Sequence, residues 1–188
     1  MALYLEDLFV GQRFESRVHQ LDADQIKAFA AEYDPQPFHL SDEGAAGSMF
    51  GTLAASGWHT MAITMRLLVE SVPLADGVIG ASTEVAWPRP TRPHMGLKVF
   101  SEITDIRPSK SKPDMAIVTM RSETRDQAGM VVQIFSAKMP VYKRERATPA
   151  AWRTSAHIGR SAPGSPCRTP TCCDRRPAGA GNRLPRPA

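Results

Sequence analysis

Three residues in the first third of the chain are of types that can move a proton and hold the charge this creates: Asp34, His39 and Gly57. Asp34 and His39 stand in Tyr33-Asp34-Pro35-Gln36-Pro37-Phe38-His39, and Gly57 follows in Ala55-Ser56-Gly57-Trp58. A carboxylate and an imidazole can exchange a proton near neutral pH if both are held in place. Pro35 and Pro37 each fix their own φ and push the preceding residue away from helical backbone, which predicts a stiff, extended loop from Asp34 to His39. Gly57 has no Cβ, so a carbonyl oxygen can come close to its amide, and a helix starting there adds a dipole that favours negative charge. The chemistry would be general acid/base catalysis beside a developing oxyanion. Each residue also has a plainer reading: Asp34 ends a helix, His39 is a loop histidine, Gly57 is a turn before a helix.

The longer run Phe29-Ala30-Ala31-Glu32-Tyr33-Asp34-Pro35-Gln36-Pro37-Phe38-His39, then Ala45-Ala46-Gly47-Ser48-Met49-Phe50-Gly51, then Ala54-Ala55-Ser56-Gly57-Trp58-His59, resembles the MaoC-like dehydratases, hot-dog-fold hydratases that act on acyl-CoA thioesters. The resemblance covers about residues 1 to 145. It implies reversible addition of water to a 2-enoyl thioester, with Asp34 and His39 flanking the water and the Gly57 amide holding the thioester carbonyl. No metal or organic cofactor is implied, the CoA thioester being the substrate. Around Asp34 the chain reads Tyr33-Asp34-Pro35, where the (R)-enoyl-CoA type prefers a small residue and glycine before the aspartate and asparagine after it. Many relatives also carry Gly-Asp where this chain has His94-Met95-Gly96. An acyl-CoA thioesterase and a non-catalytic acyl-binding module are the alternatives on the same fold.

Further candidates for substrate contact are Phe38, Ser56 and Trp58 beside the central residues, and four cations in two loops. Arg89 and Arg92 lie in Trp87-Pro88-Arg89-Pro90-Thr91-Arg92-Pro93-His94, and Lys110 and Lys112 in Arg107-Pro108-Ser109-Lys110-Ser111-Lys112-Pro113. Either loop could meet CoA phosphates, and either could be solvated surface. Ser56 has no Gly-x-Ser-x-Gly elbow around it, which argues against serine hydrolysis. His59, just past Gly57, reads as a hydrogen-bonded core histidine.

These residues need elements to position them. Asp22 with Gln25 three residues on has the form of a capping box, and Ile26, Phe29 and Ala30 continue at helical spacing to Tyr33. Ser41 or Asp42 can cap a short helix through Ala45, Ala46 and Ser48. From Gly57 to Glu70, Trp58, Met61, Ile63, Met65, Leu67, Leu68 and Val69 cover nearly every face, which predicts a buried helix. The remaining segments, residues 13 to 19, Val78 to Trp87, Leu97 to Ile106, Met115 to Thr124 and Val131 to Tyr142, read as strands, the last two joined by a hairpin at Asp126-Gln127-Ala128-Gly129. The expectation is an α+β hot-dog domain, a curled antiparallel sheet of about five strands around one central helix. Its unpaired edge strand calls for a homodimer or higher homo-oligomer.

The chain has 188 residues and a net charge of +4, but eight arginines and a single acid follow residue 145, leaving about −3 for everything before. The globular part therefore offers no overall basic charge to a nucleic acid. All three cysteines, Cys167, Cys172 and Cys173, lie in the same segment, at spacings that do not suit zinc. Residues 1 to 146 are expected to form the domain. Residues 147 to 188, with seven of the sixteen prolines and hardly any large aliphatic residue, are expected to stay disordered. No apolar run is long enough to span a membrane, and no basic-then-apolar leader opens the chain, so a soluble, cytoplasmic protein without membrane contact is expected.

Overall fold

The computed structural model describes residues 1–145; the segment expected to be disordered, with the three cysteines, lies outside the described residues. In chain order the elements are β1 (Arg13–Glu15), β2 (His19–Gln20), α1 (Ala23–Tyr33), α2 (Pro37–Leu40), α3 (Asp42–Ala45), α4 (Gly57–Ser71), β3 (Ser82–Ala86), β4 (Gly96–Pro108), β5 (Met115–Arg125) and β6 (Val131–Tyr142). The strands form one antiparallel sheet in the order β1-β4-β5-β6-β3, with β2 also pairing β4. This is the α+β hot-dog arrangement, with α4 on the inner face of the curled sheet.

Alternation explains the long strands. Leu97, Val99 and Ile103 of β4, Val118 and Met120 of β5, and Phe135, Ala137 and Met139 of β6 point inward and pack around Ile63, Leu67 and Leu68 of α4. The β5–β6 connection needs a left-handed residue, supplied by Gly129 at φ +79, and the Asp126 carboxylate accepts the amides of Ala128 and Met130 inside the turn. Among the described residues no helix is long and apolar enough to cross a membrane.

Four local expectations change. The strand expected over residues 13 to 19 is broken in two, because four steps along it, from Glu15 to His19, face only three on β4, from Phe100 to Leu97. The extra residue bulges out, and the Ser16 hydroxyl accepts the Val99 amide that regular pairing would have met. The strand expected from Val78 starts only at Ser82, after Gly77 at φ +76 and Gly80. The stiff extended loop from Asp34 to His39 instead ends at Gln36, in extended backbone, and a helical turn follows. Pro37 is the first residue of α2, where its fixed φ suits a helix and its missing N–H is no loss. Finally, α4 is not buried on every face: Trp58, Ala62, Arg66 and Val69 form an open stripe at four- and three-residue spacing, because the sheet covers one side only.

The capping box at the start of α1 forms as its sequence implies, Asp22 accepting the Gln25 amide at 2.8 Å and Gln25 returning a bond to the Asp22 amide at 3.2 Å. His94 stands in the left-handed region at φ +66, and its amide donates to Leu21 O at 2.7 Å. His59 is buried as expected but not hydrogen-bonded at Nδ1. Its ring stacks face to face on Phe29, centroids 4.6 Å apart and planes within 4°, and Nδ1 has no partner among the described residues.

Burial first, and then the nearby His19, push the His59 pKa down to about 4. An unfolded histidine takes its proton near pH 6.5, so between these values the unfolded chain binds more protons than the folded one. Stability should therefore fall as pH drops from about 6.5 to about 4, with a His59 contribution on the order of 2–3 kcal/mol. His59→Phe should keep the ring stack and lose less stability than the wild type between pH 7 and pH 4.5 in urea melts. Parallel losses in the two proteins would contradict this account.

Candidate active site

The end of α1 delivers Asp34, α2 delivers His39, and Gly57 opens α4. Asp34 ends α1 with its amide still bonded to Ala30 O at 3.0 Å, because Pro35 cannot continue the helix. Gln36 caps α2 by backbone geometry and donates its side-chain amide to Asp34 Oδ1 at 2.7 Å. Pro37 packs on α3 at Gly44, where a Cβ would come within 3 Å of the Pro37 backbone, so the glycine is what lets these two turns touch.

His39 is buried, and its orientation is fixed. Nδ1 lies 2.7 Å from Ala54 O, and a carbonyl can only accept, so Nδ1 carries the proton. The Ala54 amide returns a bond to Phe38 O at 3.2 Å, and Phe38 sets its ring edge-on to the imidazole at 4.6 Å. With Nδ1 committed, Nε2 faces Asp34 Oδ2 at 3.5 Å. That separation is too long for a direct hydrogen bond of ordinary length.

Burial works to raise the Asp34 pKa, but hydrogen bonds from Ser56 and Gln36, together with the neighbouring His39, outweigh it and hold the carboxyl below the usual carboxylate range. Ser56 serves two partners. Its oxygen accepts the Trp58 amide at 3.1 Å as the cap of α4, and its hydroxyl proton serves Asp34. The Gly57 amide, in the first turn of α4, has no acceptor among the described residues, as first-turn amides lack a partner within their own helix. Among those residues no three His, Cys, Asp or Glu side chains converge as a metal site would need.

A cavity of about 290 Å³ opens here, lined by His39, Met49, Phe50, Gly57, Trp87 and Arg89, among others. Arg89, between two prolines, is thus the one of the four expected cations beside the pocket. Arg92 is put to another use: its guanidinium donates to the carbonyls of Phe50, Thr52 and Leu53 at 2.6, 2.5 and 3.2 Å and clamps the segment that leads into α4. Lys110 and Lys112 sit at the β4–β5 turn, and β4 runs from Gly96, just after the proline-rich loop that carries Arg89, to Pro108, roughly 40 Å at about 3.3 Å per residue. Within one chain they are at the wrong end of the sheet for this pocket. Phe38 supports His39 and does not line the cavity. Trp58, 62% exposed, lies on the open stripe of α4 and meets Trp87 edge-on at 5.6 Å.

The absence of a side chain at Gly57 has a packing reason in addition to the one its sequence suggests. A Cβ there would lie 2.8 Å from Cε2 of Trp87, so the indole fills that space, and any larger residue displaces Trp87 before it meets a ligand. Sequence reasoning missed Trp87, Phe50, the Ala54 carbonyl and Gln36 as parts of the site. Gln36 alone carried a local signal, standing between two prolines beside Asp34. A larger depression of about 500 Å³ lies on the outer face of the sheet, but its charges satisfy one another, Arg13 with Glu102 at 2.9 Å and Glu123 with Arg121 and Arg125 at 2.6 and 2.5 Å. Its size does not mark a reaction site.

Residues 9–124 match the family model described as MaoC like domain. The uncharacterized protein YdeM of Bacillus subtilis is 30% identical over 140 residues, which span 73% of this chain and 96% of that protein. The 3-hydroxybutyryl-CoA dehydratase of Methylorubrum extorquens is 29% identical over 153 residues, 81% of this chain and 92% of its own. Among solved structures, a MaoC-like dehydratase from Rhodospirillum rubrum shares 59% identity with a TM-score of 0.75, over 77% of this chain and 99% of that one. The unliganded R-hydratase from Pseudomonas aeruginosa shares 25% identity with a TM-score of 0.63, over 77% and 88%.

Ser56→Ala removes a hydrogen bond that lowers the Asp34 pKa and also removes the cap of α4. The Asp34 carboxyl should then titrate at higher pH than in the wild type, as read from its side-chain carbon resonance, and the fold should lose about 1 kcal/mol. An unchanged Asp34 titration would remove Ser56 from the site.

Proposed function

The chain belongs to the family of MaoC-like domains, and on that premise we propose that it is a hydro-lyase that adds water reversibly across the double bond of a 2-enoyl-CoA. The observation that carries this reading is the 3.5 Å gap between Asp34 Oδ2 and His39 Nε2. A water lying against both atoms can be within hydrogen-bond reach of each.

In the forward direction the water oxygen bonds to C3 as the C2–C3 π pair moves toward the thioester carbonyl. One proton leaves the water for the Asp34/His39 pair, and the pair returns one to C2, so that the product is a 3-hydroxyacyl thioester and the pair ends as it began. Asp34 is ionised and can orient or deprotonate the water. His39 can do the same at Nε2 because Ala54 O holds the other proton in place. The two groups act as a unit, and the proton steps belong to the pair. The enolate oxygen formed between the steps would be held by the free Gly57 amide, with the dipole of α4 behind it. Arg89 stands at the pocket to meet the charged end of CoA. The chemistry draws on side chains and one backbone amide, with no metal or organic cofactor in the proposed steps.

We also propose a homo-oligomer. Among the described residues β3 pairs only with β6 and leaves its outer edge open, while Trp58, Ala62 and Val69, interrupted by Arg66, leave a largely apolar stripe on α4 uncovered. Light scattering of the full chain should give at least twice the monomer mass, and a monomer unaffected by concentration would contradict it.

The reaction test uses crotonyl-CoA, following loss of enoyl absorbance and release of free thiol in parallel. Hydration without thiol release is expected. Thiol release without hydration would place water on the carbonyl carbon, making the protein a thioesterase. Asp34→Asn keeps the shape of the side chain but cannot take a proton, and should lower the hydration rate by about 10²- to 10⁴-fold with little change in melting temperature. Near wild-type turnover would exclude Asp34 from the reaction.

A further inference from the structure

The interface between α4 and the sheet is aliphatic along most of its length, but not next to the pocket. There five polar side chains are fully buried: Thr60 and Thr64 of α4, Thr91 of the proline-rich loop, Thr124 of β5 and Gln133 of β6. They form one connected set with Trp87. The indole Nε1 donates to Gln133 Oε1 at 2.9 Å, and Gln133 Nε2 donates to Thr64 Oγ1 at 2.9 Å. Thr64 passes its own proton to Thr60 O at 2.9 Å and lies 2.7 Å from Thr124 Oγ1, which can donate to it. Thr60 Oγ1 donates to Thr91 Oγ1 at 3.0 Å. No member of the set lacks a partner.

Trp87 is held on more than one side. Its only polar atom is taken by Gln133, its ring lies against the bare Cα of Gly57, and the edge contact with Trp58 restrains it from the open face. It therefore forms a fixed wall of the cavity beside the amide proposed to hold the thioester oxygen, with Thr60 and Thr91 completing that wall. A ligand chain growing past this point would have to push the indole off Gln133. It would also have to lie against hydroxyls and an amide, leaving buried polar groups unpaired.

We propose that Trp87 is the specificity-determining wall of the acyl site, that Gln133 is its positioning residue, and that together they confine this enzyme to short acyl groups. The proposal rests on the hydratase reading above. It explains why a half-exposed tryptophan is tied to a fully buried glutamine. It also explains why Gly57 has no side chain, since a Cβ there would dislodge the wall.

The test is the ratio of kcat/KM for trans-2-octenoyl-CoA to that for crotonyl-CoA, measured on the full chain. Taken within one preparation, this ratio does not depend on how much of the protein is folded. Methylenes that a pocket does not accommodate commonly cost about 10- to 200-fold. The wild type should favour the four-carbon substrate by about 100-fold or more. Trp87→Ala should raise the octenoyl to crotonyl ratio at least about tenfold, and Trp87→Leu carries the same comparison if the alanine variant does not fold. Gln133→Leu, which leaves the indole in place but frees it, should move the ratio the same way by a smaller factor.

A wild type that accepts both substrates equally, or a ratio unmoved by the Trp87 variants, overturns the proposal. A ratio that moves with Trp87 but not with Gln133 overturns the positioning role. Turnover of neither substrate by the wild type defeats the hydratase reading and this proposal with it, whereas turnover of crotonyl-CoA with an unmoved ratio defeats the wall alone.

Discussion

The hydrogen bond from His39 Nδ1 to the Ala54 carbonyl is the contact on which the rest of the site depends. A neutral imidazole has one donor and one acceptor, and which nitrogen carries the proton follows from what the other meets. With Ala54 O at 2.7 Å a proton is placed on Nδ1, and Nε2 is the nitrogen that faces Asp34. The bond also sets distances. It fastens α2 to the segment before α4, and so relates Asp34 and His39 on one side to the Gly57 amide on the other. The segment cannot drift, because Arg92 clamps three of its carbonyls and the Ala55 amide donates to Thr91 O at 2.8 Å.

Asp34 is arranged by the same logic with the opposite sign. Removing a carboxylate from water favours its neutral form, and two side-chain donors are needed to keep the charge where the chemistry requires it. Ser56 is one of them while also capping α4. The helix that would stabilise the oxyanion and the carboxylate that would direct the water are thus joined through one hydroxyl. A change at either end is felt at the other, which is a reason for a serine here that owes nothing to nucleophilic chemistry.

Much of the scaffold was legible in the chain because it rests on local rules. The capping box of α1, the bounds of β6, the turn at Gly129 and the start of α4 follow from propensity, period and cap residues within a few positions of one another. The reading failed where a distant partner decides. Pro35 and Pro37 look alike locally, yet one ends a helix and the other begins one, because α3 is there for the second turn to pack on. Arg89 and Arg92 are three positions apart in one cationic loop, and only the carbonyls of residues 50 to 53 separate a structural clamp from a side chain that lines the pocket. The break between β1 and β2 is a one-residue mismatch with β4 that no pattern within residues 13 to 19 could disclose.

The central helix shows why composition alone misjudged it. Counting apolar residues from Gly57 to Glu70 suggests burial all round, but the helix is divided along its length as well as around its axis. Leu67 and Leu68, near the C-terminal end, sit in an aliphatic core, where packing sets the stability of the fold. Thr60 and Thr64, nearer the N-terminal end, are as deeply buried but polar, and there the interior is organised by hydrogen bonds that fix direction. Apolar contacts tolerate a shift of a few tenths of an ångström, whereas an imidazole, an indole N–H and a helix-opening amide must keep their orientation to be useful. Placing the directional contacts at the end that opens on the pocket, and the non-directional ones at the far end, lets one helix serve both as core and as one side of a site.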